Sequence, residues 1–169
     1  KTKVLHFVYI NIKHSEDRRL LFEKNTIKAN KILHSSGYII KTHRCNAIYM
    51  SNESELFEKL TKNLSKDFIK THPYIKSELG CTLSHIESIK YIKQKGYEYA
   101  FVCEDDIDLS IFANYFDVFL KTLKCLPNNF DILQLVTSTN QDIYNIRNPN
   151  IIKWEPHFWC SGLYMISTI

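Results

Sequence analysis

The sequence predicts an α/β domain, a mostly parallel sheet flanked by helices. Three observations carry that prediction. The chain opens strand, helix, strand, the unit that builds parallel sheets. Short apolar runs of β-formers then keep alternating with longer stretches of helical spacing. The central run, Tyr97 to Ser110 (YEYAFVCEDDIDLS), ends in a dense group of carboxylates. Ligands of open α/β sheets bind at such strand ends.

Residues 4–10 (VLHFVYI) form the first buried strand. Ser15 is placed as the N-cap of a helix that reaches Ser36, with Glu16 and Asp17 favoured in its first turn. Phe22, Ala29, Ile32 and Leu33 mark its apolar stripe, and Gly37 suits its end. An extended segment restarts at Tyr38 and runs toward Ile48. Residues 51–65 read as a polar helix with Leu56, Phe57, Leu60 and Leu64 inward. Residues 66–76, with His72-Pro73, read as loop. A helix over 78–95 carries Leu79, Leu83, Ile86 and Ile89 at core spacing and ends at Gly96. After the acidic strand comes a helix over 111–126, then a strand over 130–136. A polar loop over 137–149 and strands at 151–154 and 162–167 complete the order β-α-β-α-α-β-α-β-β-β.

The 169 residues suffice for one domain with a real core. The net charge of +4 is mild. No basic run interleaves with aromatics, which speaks against a nucleic-acid surface. No apolar stretch approaches the roughly 20 residues that span a bilayer. The chain starts Lys-Thr-Lys rather than Met, as a trimmed product would. The five cysteines are scattered, without a CxxC pair, so reduced buried thiols are expected.

Glu104, Asp105, Asp106 and Asp108 are four carboxylates in five positions. They repel one another, and a hard cation held by oxygens would relieve them. Residues two apart in an extended chain share a face, so Glu104, Asp106 and Asp108 are grouped, with Asp105 opposite. The alternative is an acidic helix start, with Asp108 or Ser110 as cap.

Several separated motifs resemble one family, glycosyltransferase family 25. VYINIKHSEDRR is similar to its INL-R-S-x-x-R-R opening, and SELGCTLSHIESIK to its GEIGCxLSH helix. YAFVCEDDI resembles its E-D-D strand. FDILQL and SGLYMIS resemble its two late strands. The late motif departs from the family at Cys160 to Leu163. The resemblance spans nearly the whole chain in order. It implies a GT-A-like, Rossmann-like fold over 1–169 as one catalytic domain, with room for a C-terminal continuation.

The resemblance further implies a UDP-sugar donor, a divalent cation (Mn²⁺, or Mg²⁺) and inverting transfer of a hexose, galactose by family frequency. The acceptor hydroxyl would belong to a saccharide, a lipid-linked saccharide or a collagen-like hydroxylysine. Glu104-Asp105-Asp106 stands where the family binds its metal. Asp106 is the leading ligand, with Glu104 or Asp105 orienting it or holding the ribose. Asp108 and His157 are further ligand candidates. Asn11, Arg18, Arg19, Ser84 and His85 are candidates for holding the donor, since arginine suits phosphate and histidine donates hydrogen bonds. For the arginines the alternative is a solvated helix face, and for His85 a structural role. Asp131, Asp142 and Glu155 are open as the general base. Trp154, Phe158 and Trp159 either stack on a sugar or pack in the core. A cytoplasmic or membrane-peripheral setting is expected in a bacterium or virus, or the ER lumen after signal removal. The competing function is a nucleotide-sugar-binding domain without turnover.

Overall fold

A computed structural model describes residues 2–127, 129–136 and 162–168. Five strands form one sheet in the order β2-β1-β3-β5-β4. They are β1 (Lys3–Asn11), β2 (Tyr38–Asn46), β3 (Tyr99–Glu104), β4 (Ile132–Gln134) and β5 (Leu163–Ser167). β1 pairs parallel with β2 and with β3, while β5 runs antiparallel to β3 and β4. The arrangement is the mostly parallel, Rossmann-like sheet that the sequence predicts.

The pleat sorts the core into two layers. Phe7 and Tyr9, Phe101 and Cys103, and Leu163 and Met165 all point to one side. There they meet Phe22, Ala29 and Leu33 of α1 (Glu16–Leu33), Leu109 and Ala113 of α5 (Leu109–Asn114), and Phe116 and Phe119 of α6 (Phe116–Leu123). The intervening Val8, Ile10, Ala100, Val102, Tyr164 and Ile166 face the other side and meet Ile92 of α4 (Ile75–Lys95). Burial on both faces explains why these strands read as continuous apolar runs rather than alternating ones.

Helix ends follow local chemistry. A 3-10 turn at His34–Ser36 extends α1, and Gly37 closes it with φ of 73°. Gly96 closes α4 in the same left-handed conformation, where a side chain would be strained. Ser15 does precede α1, but its hydroxyl makes no capping bond. The 51–65 helix is shorter than predicted, a 3-10 turn at Met50–Asn52 followed by α2 (Ser54–Thr61). The expected loop contains α3 (Lys66–Thr71), started by Ser65, whose hydroxyl accepts from Phe68 N at 3.0 Å. The helix predicted over 111–126 is two helices broken at Tyr115, where ψ swings to 17°. The strand expected at 151–154 lies outside the described residues.

The buried face of α4 differs from its predicted one. Ile86 is 41% exposed, and the covered positions are Ile75, Gly80, Ser84, His85, Ser88 and Ile92. Small residues win because the 47–50 segment runs directly over the helix. Ser84 Oγ donates to Gly80 O (2.6 Å) and accepts from Ile48 N (2.8 Å). A Cβ on Gly80 would lie 2.6 Å from Ile48 O, a backbone atom that cannot swing aside. On α1, Ile32 is likewise more exposed than its stripe implies. No helix among the described residues is long and apolar enough to cross a membrane.

Gly80→Ala should therefore destabilise the fold by about 1–3 kcal/mol through overpacking. Urea unfolding measures it. A variant as stable as the parent would mean that helix and crossing segment part freely.

Candidate active site

β1 and β3 end side by side, with Ile10 in register with Glu104. From β1 the chain passes through α1 to β2 on one side. β3 is reached later, through α4, on the other side. Strand order thus reverses at β1, and the carboxyl ends of β1 and β3 flank the switch point where doubly wound sheets bind ligands. The chain leaves the sheet there in a turn at Asp105 and Asp106.

The turn divides the acidic run. Asp105, the first residue of the turn, lies on the α1 side and is buried, its side chain 6% exposed. Asn11 Nδ2 donates to its Oδ2 at 2.6 Å, and the Arg18 guanidinium pairs with its Oδ1. A buried carboxylate persists only with such charge-assisted partners. Asn11 Nδ2 also donates to Ser15 O at 3.0 Å, so the end of β1 grips the start of α1. Both contacts of Nδ2 are acceptors, which fixes the orientation of the amide. Asn11 Oδ1 is then left buried without a hydrogen-bond partner among the described residues.

Asp106 is different. Its side chain is 62% exposed, and Arg18, 3.4 Å away, is its ion-pair partner. Arg18 itself is 44% exposed and spans both carboxylates from the first turn of α1. Asp106 and Arg18 together offer one charge of each sign to solvent at the switch point.

Glu104 follows the pleat to the α4 side. Its carboxylate lies 3.7 Å from His85 Nε2, and His85 Nδ1 is 3.0 Å from the Tyr164 hydroxyl. Burial opposes charge on His85, but the Cys81 sulfur and the Glu104 carboxylate outweigh it and raise the imidazole pKa to about 9. Burial also pushes the Tyr164 hydroxyl up.

The remaining predicted site residues separate from this centre. Arg19 turns along its own helix to Glu16 (2.8 Å) and Glu23 (2.9 Å). Ser84 is buried, with its hydroxyl committed to Gly80 and Ile48. Asp108 caps α5, accepting from the backbone and hydroxyl of Ser110 at 2.9 and 2.7 Å. Those bonds, the hydroxyl first, hold its pKa below the usual carboxylate range. Asp131 exposes its side chain and gives its carbonyl to Ser167 N. Asp142, Glu155, His157, Trp154, Phe158 and Trp159 lie outside the described residues. Cys81 and Tyr164 are the neighbours that sequence reading missed. The i, i+4 spacing of Cys81 and His85 was the available signal for the first.

Glu104, Asp106 and Asp108 are not drawn together here: Glu104 lies beside His85, and Asp108 accepts from Ser110. Period-two alternation holds only while the chain is extended, and it stops at Glu104. Among the described residues the convergent donor set is Cys81, His85 and Glu104 instead. A hard cation still fits Asp106 alone. Magnesium-like ions are commonly held by one or two carboxylates, with substrate phosphates and water completing the shell. A surface depression of about 660 Å³, lined among others by Ile27, Asn30, His34 and Tyr38, lies at the opposite end of the sheet and has no carboxylate in its lining.

A Rossmann-like sheet with Arg18 and an exposed Asp106 at its switch point has the arrangement of open α/β domains, whose ligands lie at the strand ends. The chain belongs to glycosyltransferase family 25: the model described as "Glycosyltransferase family 25 (LPS biosynthesis protein)" matches residues 5–159. It is 27% identical over 169 residues to procollagen galactosyltransferase 1-B of Xenopus laevis, covering 94% of this chain and 26% of that protein. Procollagen galactosyltransferase 1-A of the same species is 25% identical over 165 residues, with the same coverage. The chain spans about a quarter of the length of these curated relatives.

His85 should titrate near 9 rather than 6.5 when chelator keeps the chain metal-free. The folded value is the higher one, so its contribution to stability is complete below about 6.5 and lost as pH rises through about 9. An NMR titration of the imidazole checks this, and Glu104→Gln should lower the midpoint. A midpoint at or below 6.5 would contradict the pairing.

Proposed function

We propose that the chain forms the donor-binding and catalytic part of a UDP-sugar-dependent hexosyltransferase. The sugar is galactose, transferred with inversion and with help from Mn²⁺ or Mg²⁺. One observation carries this reading: the switch point exposes Asp106, loosely paired with a half-exposed Arg18, while the buried Asp105 holds that arginine in place. Family membership and the galactosyltransferase relatives support the reaction class.

The acceptor oxygen attacks the anomeric carbon as the bond to the diphosphate breaks, and the acceptor proton passes to a base. Negative charge therefore grows on the departing diphosphate, and groups that meet it there lower the barrier. Arg18 is suited to diphosphate oxygens, since its planar fork stays partly open after pairing with Asp105. Asp106 would hold the divalent cation, which when bound supplies Lewis-acid neutralisation of the leaving group. Asn11 fixes the geometry of both by tying the ends of β1, α1 and β3 together. Asp131, Asp142 and Glu155 stay open as the base. The relatives' names favour a collagen-like acceptor, whose hydroxylysine would supply the hydroxyl, and saccharides or lipid-linked saccharides are the other acceptors this chemistry admits.

The test is UDP release from UDP-galactose or UDP-glucose with Mn²⁺. Turnover is expected, and Asp106→Ala should lower it by at least about 100-fold, as when a charge-stabilising group is removed. Mn²⁺-dependent UDP binding without turnover would instead leave a nucleotide-sugar-binding domain.

A further inference from the structure

A second cluster lies on the other face of the same strand end. Cys81 and His85 stand at i, i+4 on α4 and so share one helix face. Glu104 is the last residue of β3 and points to the sheet side that α4 covers. One ligand atom from each of the three lies within 4.8 Å of the others. We propose that Cys81, His85 and Glu104 form a binding site for a borderline-soft divalent cation of the Zn²⁺ class.

Donor chemistry selects the metal. One sulfur, one imidazole nitrogen and one carboxylate oxygen suit Zn²⁺, whereas Mg²⁺ and Mn²⁺ favour oxygen throughout. Three protein ligands leave a fourth tetrahedral position for water, the open form of a zinc site. Cys81 is exposed and Glu104 half-buried, which gives an entry path from solvent. The imidazole is already oriented for the task. Its Nδ1 lies 3.0 Å from the Tyr164 hydroxyl, the outer contact that metal-bound histidines typically make. Its Nε2 is buried and makes no hydrogen bond within the described residues, with Glu104 at 3.7 Å. Buried polar atoms left in that state are rare, and coordination would satisfy this one. Binding releases the Cys81 thiol proton, and any Nε2 proton, to solvent.

This site differs in residues and metal class from the Asp106 site, so the two readings fail separately. Bound here, a metal would join α4 to β3 beside the donor site. The alternative is a plain histidine-glutamate contact next to a surface thiol.

Cobalt substitution decides between them. Metal-free chain titrated with Co²⁺ should develop a thiolate-to-cobalt charge-transfer absorption that Zn²⁺ abolishes. Cys81→Ser should remove the absorption, and Asp106→Ala should retain it. Glu104→Gln should weaken Co²⁺ affinity at least about tenfold, and Tyr164→Phe by about 10–100-fold. No such absorption at saturating Co²⁺ would overturn the proposal. So would full intensity in Cys81→Ser, or unchanged affinity in Glu104→Gln. UDP release by the parent chain reports on the Asp106 site independently of these outcomes.

Discussion

A buried negative charge sets the geometry of this molecule. Asp105 lies at the end of the central strand where water barely reaches it, and an isolated carboxylate there would cost several kcal/mol. It is tolerated because Asn11 closes from β1 and Arg18 closes from α1. Those partners come from sequence positions about 90 residues away, so the contact is an anchor between distant parts of the chain. It also fixes the first turn of α1 against the sheet, since Asn11 holds Ser15 with the same amide nitrogen. The guanidinium that remains half-exposed is therefore held in place rather than free to wander. A preorganised cation costs less ordering entropy when it meets an anionic ligand.

The opposite face is built on a different constraint, close approach. Gly80 has no room for a methyl group, and Ser84 and Ser88 return their hydroxyls to the helix backbone. This brings α4 near enough for His85 to reach both Tyr164 of β5 and the neighbourhood of Glu104. Larger residues on that face would raise the helix and carry His85 away from the strand end. The stretch SELGCTLSH is thus a spacing device as much as a chemical one.

The sheet was legible from the sequence because its signal is local and repeated. Apolar strand runs, a glycine after α1 and another after α4 each report on their own few residues. The acidic turn was legible too, and the family motifs tied it to Asn11 and Arg18. The inner face of α4 was hidden, because leucine and isoleucine periodicity assumes that the largest apolar side chains point inward. Here a crossing backbone segment demands small residues, and Ile86 is left outside. Arg18 and Arg19 are indistinguishable as letters. Only the helix azimuth sends one to Asp105 and the other to Glu16 and Glu23. The helix break at Tyr115 and the capping of α3 by Ser65 depend on single-residue geometry that periodicity averages away.

Four carboxylates in five positions look like one electrostatic unit that calls for one cation. The structure resolves them into four environments. Glu104 follows the pleat toward an imidazole and a thiol, Asp105 turns to a guanidinium and an amide, and Asp108 is consumed by Ser110. Mutual repulsion is relieved mainly by the chain's own donors and by divergence of the backbone at the strand end. Asp106 stays the most exposed of the four, with Arg18 as its ion-pair partner, while Glu104 offers its carboxylate to the cluster with Cys81 and His85. Charge density in a sequence is thus a poor measure of charge offered to a ligand. The pleat assigns adjacent side chains to opposite faces, and each face supplies its own counter-charge before any ligand arrives.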